Sequence, residues 1–292
     1  MTGTLRRWSL LFLLPALALY LTVVIVPSIS VVDYGFFDWS AGQRGRPAGL
    51  DNYVEIFTDP ELWAALWHTF VLLLGAMAIQ LPLGFLFAVL IHKRHPGSGF
   101  FQAVFFIPVV LSTVVIGVLW TQVYQAQYGL LNAALDALGL AGLTHAWLGE
   151  TGTALMSVVV VVGWQYVGLY MLIFLSAMQA IPRSIYEAGE LDGAVGWRQT
   201  LTLTVPMLLD TVKLSVILVV TGSVQYFNLI WAMTKGGPAN SSSVLASYMY
   251  VKAFQDNRLG FAAAVATFML LLNLLLAVGL QRLFRRDPLE PA

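Results

Sequence analysis

Several amide, hydroxyl and phenol side chains stand inside stretches of this chain that are otherwise strongly apolar. They are Gln165, Tyr166, Ser223, Gln225, Tyr226 and Asn228. Polar residues in such surroundings usually face a bundle interior or a water-filled cavity. Amides and hydroxyls hydrogen-bond to neutral polar groups, and aromatic rings pack on C–H faces, so these residue types suit a neutral, hydroxyl-rich solute. The alternative is that they only tie helices to one another, and the sequence leaves both open.

A second chemically distinctive segment is the charged stretch at residues 181–204, which lies between two apolar runs. Pro182 suits the first turn of a helix that continues to Leu191, and Asp192-Gly193 predicts a turn. A second helical piece follows the turn. Two short helices meeting at a glycine would project from a membrane surface with small residues at the centre and charges at the rim, as at a protein interface.

The composition predicts an integral membrane protein. Hydrophobic residues make up 59% of the 292 residues, charged residues 10%, and the mean hydropathy is +0.79, whereas soluble domains are about a quarter charged. The zero net charge supports no binding of nucleic acid. The absence of cysteine excludes disulfides and thiolate metal sites, and the four histidines are scattered without metal-ligand spacing.

Six apolar stretches approach the roughly 20 residues that a spanning helix needs. Because the runs are continuous rather than alternating, they predict helices and not a barrel. The expected fold is all-α, with six transmembrane helices in one domain covering residues 1–292. The predicted spans are Trp8–Val32, Leu66–Ile91, Phe101–Tyr124, Ala154–Met178, Val205–Met233 and Phe261–Leu283.

Two short proline-containing sequences mark helix boundaries. Asp59-Pro60 offers a capping side chain followed by proline at the first helical position. Gly236-Gly237-Pro238 predicts a sharp end to the fifth helix. The connecting stretches Asp33–Ala65 and Lys235–Leu259 then lie on the same side of the membrane.

The distribution of Lys and Arg predicts the orientation, because basic residues are enriched in cytoplasmic loops. Both termini and the charged stretch share one side, which carries the larger basic set, so we expect them to be cytoplasmic. That set is Arg6, Arg7, Lys93, Arg94, Arg183, Arg198, Lys213, Arg282, Arg285 and Arg286, against Arg44, Arg46, Lys235, Lys252 and Arg258 on the other side.

The charged stretch resembles a known family. E-A-G-x-x-D-G-A at Glu187–Ala194, with a proline at Pro206, is similar to the EAA loop of binding-protein-dependent ABC importer permeases, in particular their sugar-permease branch. A-I-P-x-x-I-Y-E-A at Ala180–Ala188 and M-T-K-G-G-P at Met233–Pro238 are also similar. The resemblance implies the type I ABC importer permease fold (MetI-like). Gly189 departs from the pattern, since the family often has alanine there.

In that family the loop is a coupling helix that sits in a groove of a separate ATP-binding subunit. The resemblance implies that Glu187 pairs with a basic residue of that subunit, that Ala188 and Gly189 allow close approach, and that Gly193 supplies the turn. The implied coupling residues are Glu187, Ala188, Gly189, Asp192, Gly193 and Ala194. The implied solute positions are Gln165, Tyr166, Leu169, Val219, Ser223 and Tyr226; Leu169 and Val219 are apolar here, so only part of a polar site is kept.

The resemblance also implies the partners: a second permease in a heterodimer, a dimer of ATP-binding subunits, an extracytoplasmic solute-binding protein and a sugar, in a bacterial or archaeal cell membrane. No G-x-x-x-x-G-K-[ST] pattern is present, so we expect no enzyme activity and no cofactor in this chain, with ATP and Mg held by the partner. An ion- or proton-coupled secondary transporter is the alternative, although such proteins usually need intramembrane carboxylates or broken repeats.

Overall fold

A computed structural model describes residues 13–40, 45–92 and 97–284. Nearly all regular structure in these residues is helical, so the all-α prediction is confirmed. In chain order the helices are α1 Leu13–Tyr34, α2 Asp51–Thr58, α3 Pro60–His92, α4 Ser98–Val110, α5 Thr113–Val123, α6 Leu130–Ala137, α7 Ala154–Gln179, α8 Arg183–Leu191, α9 Trp197–Met207, α10 Leu209–Val224, α11 Asn228–Met233, α12 Leu245–Tyr250 and α13 Leu259–Phe284.

Four of the described helices, α1, α3, α7 and α13, are long and apolar enough to cross a membrane. Two bent pairs raise the number to six if each pair is one span: α4 with α5, bent by 99°, and α9 with α10, bent by 69°. Part of the first predicted span, residues 8–12, lies outside the described residues. So do several basic residues used to predict orientation, namely Arg6, Arg7, Arg44, Lys93, Arg94, Arg285 and Arg286.

The third predicted span, Phe101–Tyr124, is two helices rather than one. Pro108 lies inside α4 and cannot donate a backbone hydrogen bond. The helix ends two residues later, and Leu111 is extended, with φ −69° and ψ 147°. Ser112 then precedes α5, whose axis turns sharply. The break leaves backbone groups that regular helix would have satisfied internally.

The fifth predicted span, Val205–Met233, is also divided. Its first residues belong to α9, which contains a π-helical turn at Thr200–Thr204 just before Pro206. Residues 225–227 separate α10 from α11. The structure confirms that this segment ends before the Gly236-Gly237-Pro238 sequence, where Gly236 adopts φ +86°.

The described chain divides into two compact units. Residues 13–40 and 45–62 with 248–271 form the first, and residues 63–92 and 97–247 with 272–284 form the second. Asp59 links the two chain segments that make up the first unit. The Asp59 Oδ1 atom accepts from the backbone N–H of Glu61 at 2.7 Å, which confirms the predicted cap of α3. Its Oδ2 atom accepts from the Tyr248 hydroxyl at 2.5 Å, and burial followed by this bond raises the pKa of Tyr248.

Helix α7 lies at the centre of the second unit, and about two thirds of its apolar window is buried. Phe174 and Met171 pack there with Ala88 of α3. Glycines allow neighbouring helices to approach α7: a Cβ atom on Gly168 would lie 2.0 Å from the carbonyl oxygen of Phe105 in α4. The side chains of α7 are therefore held by close packing on more than one side.

Candidate solute pathway and coupling surface

Gln165 is buried near the middle of α7 and makes contacts to two other segments. Its Oε1 atom accepts a hydrogen bond from the Tyr226 hydroxyl at 3.2 Å. Its Nε2 atom donates to the Thr113 Oγ1 atom at 3.4 Å. The Tyr166 ring meets the Tyr226 ring edge-on, with centroids 6.3 Å apart. We call Thr113, Gln165, Tyr166 and Tyr226 the polar cluster.

The polar cluster lies where two of the predicted spans are broken. Thr113 is the first residue of α5, directly after the break at residues 111–112, and Tyr226 lies in the break between α10 and α11. Non-helical backbone at membrane depth is tolerated only where it is buried in protein or lines a cavity. The sequence did not single out Thr113, because a threonine in an apolar run most often bonds to its own helix.

The structure does not bring all the predicted solute residues to this cluster. Ser223 is buried two residues before the break, and Val219 is buried in the apolar contacts of α7. Leu169 is half-buried, whereas Gln225 and Asn228 are exposed. The predicted set therefore separates into the two tyrosines and Gln165 of the polar cluster, the buried Ser223 outside it, apolar packing residues, and polar side chains at the surface of this chain.

Two other polar side chains in the apolar helices act as ties between helices. The Gln80 Nε2 atom donates to the carbonyl oxygen of Val162 at 3.1 Å. The Asn273 Nδ2 atom donates to that of Thr221 at 3.3 Å. Both bonds satisfy a side-chain donor with a backbone acceptor, which is a common way to join spanning helices.

The charged loop at residues 181–204 folds as the sequence predicts at its turn. Helix α8 ends in a Schellman arrangement, in which the N–H of Gly193 bonds to the carbonyl of Glu190 and the N–H of Ala194 bonds to that of Gly189. Gly193 has φ +76°, a conformation that residues with a Cβ atom rarely adopt. Gly196, at φ +60°, then leads into α9.

The two helices of the charged loop pack on each other through Gly189. This residue is buried, and a Cβ atom on it would lie 2.4 Å from the Leu203 Cδ1 atom of α9. The Gln199 Nε2 atom also donates to the carbonyl of Tyr186 at 3.1 Å. Gly189 therefore faces Leu203 of its own chain. The contact with a partner subunit that the family resemblance implies stays a prediction. The missing side chain of Gly189 brings α8 and α9 together.

The other predicted coupling residues form much of the outer surface of the loop. Ala188, Asp192 and Gly193 are exposed, and Ala194 is half-buried. The Glu187 carboxylate lies 3.1 Å from the Arg183 guanidinium one turn earlier, with both side chains exposed. An exposed pair of this kind contributes little to stability, so Glu187 is free to exchange partners.

The same loop also exposes apolar side chains, of which the sequence did not single out Leu191 and Val195. Leu191 is 90% exposed, and Val195, Trp197 and Leu201 are also more than half exposed. A contiguous apolar surface on an otherwise polar loop marks an interaction site. The signal in the sequence was Leu191 in E-L-D-G, an apolar residue that does not continue an apolar face of its helix.

A cavity of about 710 Å³ opens where the charged loop meets the ends of α3 and α7. It lies at the loop and not at the polar cluster. Its wall combines aromatic, amide, hydroxyl and charged groups. These include His92, Gln179, Arg183, Tyr186, Glu190 and Gln199.

Neither a metal centre nor an obvious proton relay is built into the described residues. They hold no cluster of three or more His, Asp or Glu side chains that could bind a metal ion. The Lys213 Nζ atom bonds to the Asp210 Oδ1 atom at 2.6 Å, and the Asp210 side chain is 92% exposed. This pair lies at the start of α10, in the position of a surface ion pair.

Comparisons with known proteins extend over nearly the whole chain. The family model for the "binding-protein-dependent transport system inner membrane component" matches residues 80–287. The chain is 37% identical over 278 residues to the probable ABC transporter permease protein YurN of Bacillus subtilis, covering 94% of this chain and 95% of that protein. It is 31% identical over 268 residues to the multiple sugar-binding transport system permease protein MsmF of Streptococcus mutans, covering 91% of each.

A solved structure has the same fold. It is that of a bacterial ABC transporter involved in the import of the acidic polysaccharide alginate, one chain of which superposes with a TM-score of 0.84 at 21% identity. The match covers 97% of this chain and 96% of the other. The predicted ABC importer permease fold is confirmed.

The Tyr226→Phe substitution tests the hydrogen bond at the centre of the polar cluster. It removes the donor to Gln165, and hydrogen bonds between spanning helices average about 0.6 kcal/mol. We expect a small fall in the thermal midpoint of the purified protein, followed by tryptophan fluorescence. Tyr128→Phe, at an exposed ring, is the control and should leave the midpoint unchanged. Equal midpoints for both variants would show that the bond does not stabilise the fold.

The Gly189→Val substitution tests the packing within the charged loop. Its side chain would collide with Leu203, and overpacking costs about 1–3 kcal/mol. We expect faster proteolytic cleavage at residues 192–196. Adding Leu203→Ala should restore protection, because it removes the colliding atoms. Ala188→Val, at the exposed neighbour, should behave like the wild type, and a lack of rescue by Leu203→Ala would contradict this packing.

Proposed function

The chain belongs to the family of binding-protein-dependent transport system inner membrane components, and on this basis we propose that it forms half of a carbohydrate-import pathway. As a family member it is a multi-pass inner-membrane permease subunit. It works with an ATPase and an extracytoplasmic binding protein and carries no cofactor itself. The polar cluster carries the proposal for the solute.

The chemistry of the polar cluster favours a carbohydrate. It offers one amide, two phenols and one hydroxyl, all uncharged, and two aromatic rings. Carbohydrate hydroxyls need such donors and acceptors, and apolar sugar faces pack on rings. The name of MsmF, a sugar-binding transport system permease, points the same way. Because the cluster has no cationic side chain, it favours a neutral sugar over an acidic one.

The second half of the pathway comes from another permease subunit. Gln225 and Asn228 flank the break that holds Tyr226, and both are exposed on this chain. Their amides are then available to a solute held between two such subunits. This gives a role to the predicted residues that lie outside the polar cluster. The second subunit is a different permease, as the family resemblance implies, so the proposed transporter is a heterodimer.

The charged loop connects the pathway to the motor. It follows α7, which carries Gln165, and it runs through α9 into α10, which ends beside Tyr226. A shift of α8 and α9 therefore moves both sides of the Gln165–Tyr226 bond. ATP, with Mg on the partner ATPase, supplies the energy, and the alternating states differ in population according to the nucleotide bound. Leu191 and Trp197 serve as apolar anchors, and Glu187 lies at the rim.

This role requires the charged loop and both termini to be cytoplasmic, as the excess of Lys and Arg on that side indicates. Helix α7 places the loop and residues 125–152 at opposite ends of one span. Residues 125–152 are then extracytoplasmic. The stretches around Asp59 and Tyr248 are also extracytoplasmic in this orientation, and they face the binding protein in the proposed assembly.

The source of energy is tested with the assembled complex in proteoliposomes. The binding protein is first loaded with radiolabelled neutral mono- or oligosaccharides to identify its ligand. We expect uptake with internal ATP and Mg after ionophores have collapsed all ion gradients. We also expect none with a non-hydrolysable ATP analogue. Uptake that follows an imposed ion gradient and ignores ATP would instead identify a secondary transporter.

The Glu187→Lys substitution tests the coupling role of the charged loop. It reverses a charge at the proposed ATPase contact, so we expect normal membrane insertion, weaker pull-down of the ATP-binding subunit and loss of uptake. Asp210→Lys makes the same change at an exposed carboxylate on the same end of the spans, outside the loop, and should preserve both. An unchanged pull-down for Glu187→Lys would remove Glu187 from the contact.

A further inference from the structure

The segment between α5 and α7 turns a key polar side chain inward and exposes many apolar side chains. The Asn132 side chain is buried and makes three hydrogen bonds: Nδ2 donates to the carbonyls of Ala126 and His145, each at 3.0 Å, and Oδ1 accepts from Trp147 Nε1 at 2.7 Å. The Gln125 Oε1 atom accepts from the backbone N–H groups of Gln127 and Tyr128 in the turn that follows it. These bonds satisfy polar groups within the segment itself.

Between Tyr128 and Leu143 the outer surface is mostly apolar. On α6, Leu131 packs inward against the apolar core, whereas the opposite side of the helix is exposed. Leu130 is 70% exposed and Leu138 is 74% exposed. The other exposed apolar residues are Tyr128, Ala133, Ala134, Ala137, Leu140, Ala141 and Leu143. Exposed apolar surfaces of this kind mark sites that contact a protein or a membrane.

Charged groups are nearly absent from this surface. Asp136 is the only ionisable side chain between Tyr128 and Thr144, and residues 125–152 contain no Lys or Arg. A soluble receptor docks and leaves, so its docking surface must tolerate water between visits, and such interfaces are about as polar as ordinary surface. The composition of this surface favours a cover that is always present.

The position of the segment identifies that cover. It begins one residue after the spanning pair α4–α5 and ends where the span α7 begins, so it lies at the membrane surface. Val114, Val118 and Leu119 of α5, directly before it, are also exposed apolar residues on a spanning helix. The apolar surface of the segment therefore continues the surface that faces lipid.

We propose that residues 128–143 form an interfacial hairpin whose leucines insert into the boundary between lipid headgroups and acyl chains. Apolar side chains of interfacial helices bury in this boundary to a depth of about 5–10 Å. With the orientation proposed above, the hairpin lies in the outer leaflet. It would anchor the outer end of α5, which begins at Thr113 of the polar cluster.

Site-directed spin labelling tests the hairpin, because the chain has no cysteine and an introduced one is unique within it. The purified permease chain is labelled before it is assembled with its partner subunits. Leu138→Cys and Leu143→Cys carry the label on the proposed lipid face. Gln127→Cys, exposed on the polar turn of the same segment, is the control. The complete transporter is reconstituted in lipid nanodiscs. Collisions of each label with oxygen, which concentrates in lipid, and with a water-soluble nickel chelate are then measured.

We expect the labels at positions 138 and 143 to lose most nickel collisions relative to position 127 while keeping oxygen collisions. Nickel collisions equal to those at position 127 would place the surface in water and overturn the proposal. Protection from both reagents would show a protein cover and would overturn it as well. Uptake by the unlabelled protein is measured separately, so failure of the hairpin is distinguishable from failure of the transport function.

Discussion

The need to satisfy backbone polar groups in apolar surroundings shapes this protein. A continuous helix meets that need by itself, and α7 does so over its full length. The chain gives up this solution at residues 111–112 and 225–227, where spans are interrupted. At both places the structure supplies a polar side chain that reaches Gln165. The polar cluster therefore lies where two helix breaks meet one intact helix, and its side chains satisfy one another by hydrogen bonds.

The same bonds explain how the cluster could respond to force. Hydrogen bonds between spanning helices are weak, on average about 0.6 kcal/mol, so the Gln165–Tyr226 contact can open without unfolding the core. The charged loop, by contrast, is held by a fixed turn and by close packing. Its turn is fixed by Gly193 at positive φ, and α8 packs on α9 through Gly189 and Leu203. In the proposed mechanism, a loop packed in this way transmits its movement to the polar cluster instead of deforming.

The sequence predicted features that depend on single residues with strong local preferences. Asp59 caps α3, Gly193 turns the loop, and Gly236 and Pro238 follow the end of α11. It did not predict the interruptions of two spans, because hydropathy is the same on both sides of each break. It also did not predict the contact of Gly189 with Leu203: a small residue permits close approach, but the sequence does not say from which side. Leu191 was missed because its exposure depends on the fold of the loop.

Exposed apolar side chains occur near both ends of α7, but only those at the charged loop have charged neighbours. At the charged loop, Leu191 and Trp197 are exposed among Arg183, Glu187 and Asp192. A leucine with charges around it can remain in water until a partner subunit arrives. At the other end, Leu130 and Leu138 have alanines and leucines for neighbours, while the amide of Asn132 is turned inward. Such a surface favours an apolar cover that is always present. In the proposed assembly, lipid covers the surface at the outer end of the span and the ATP-binding subunit covers the loop at the inner end.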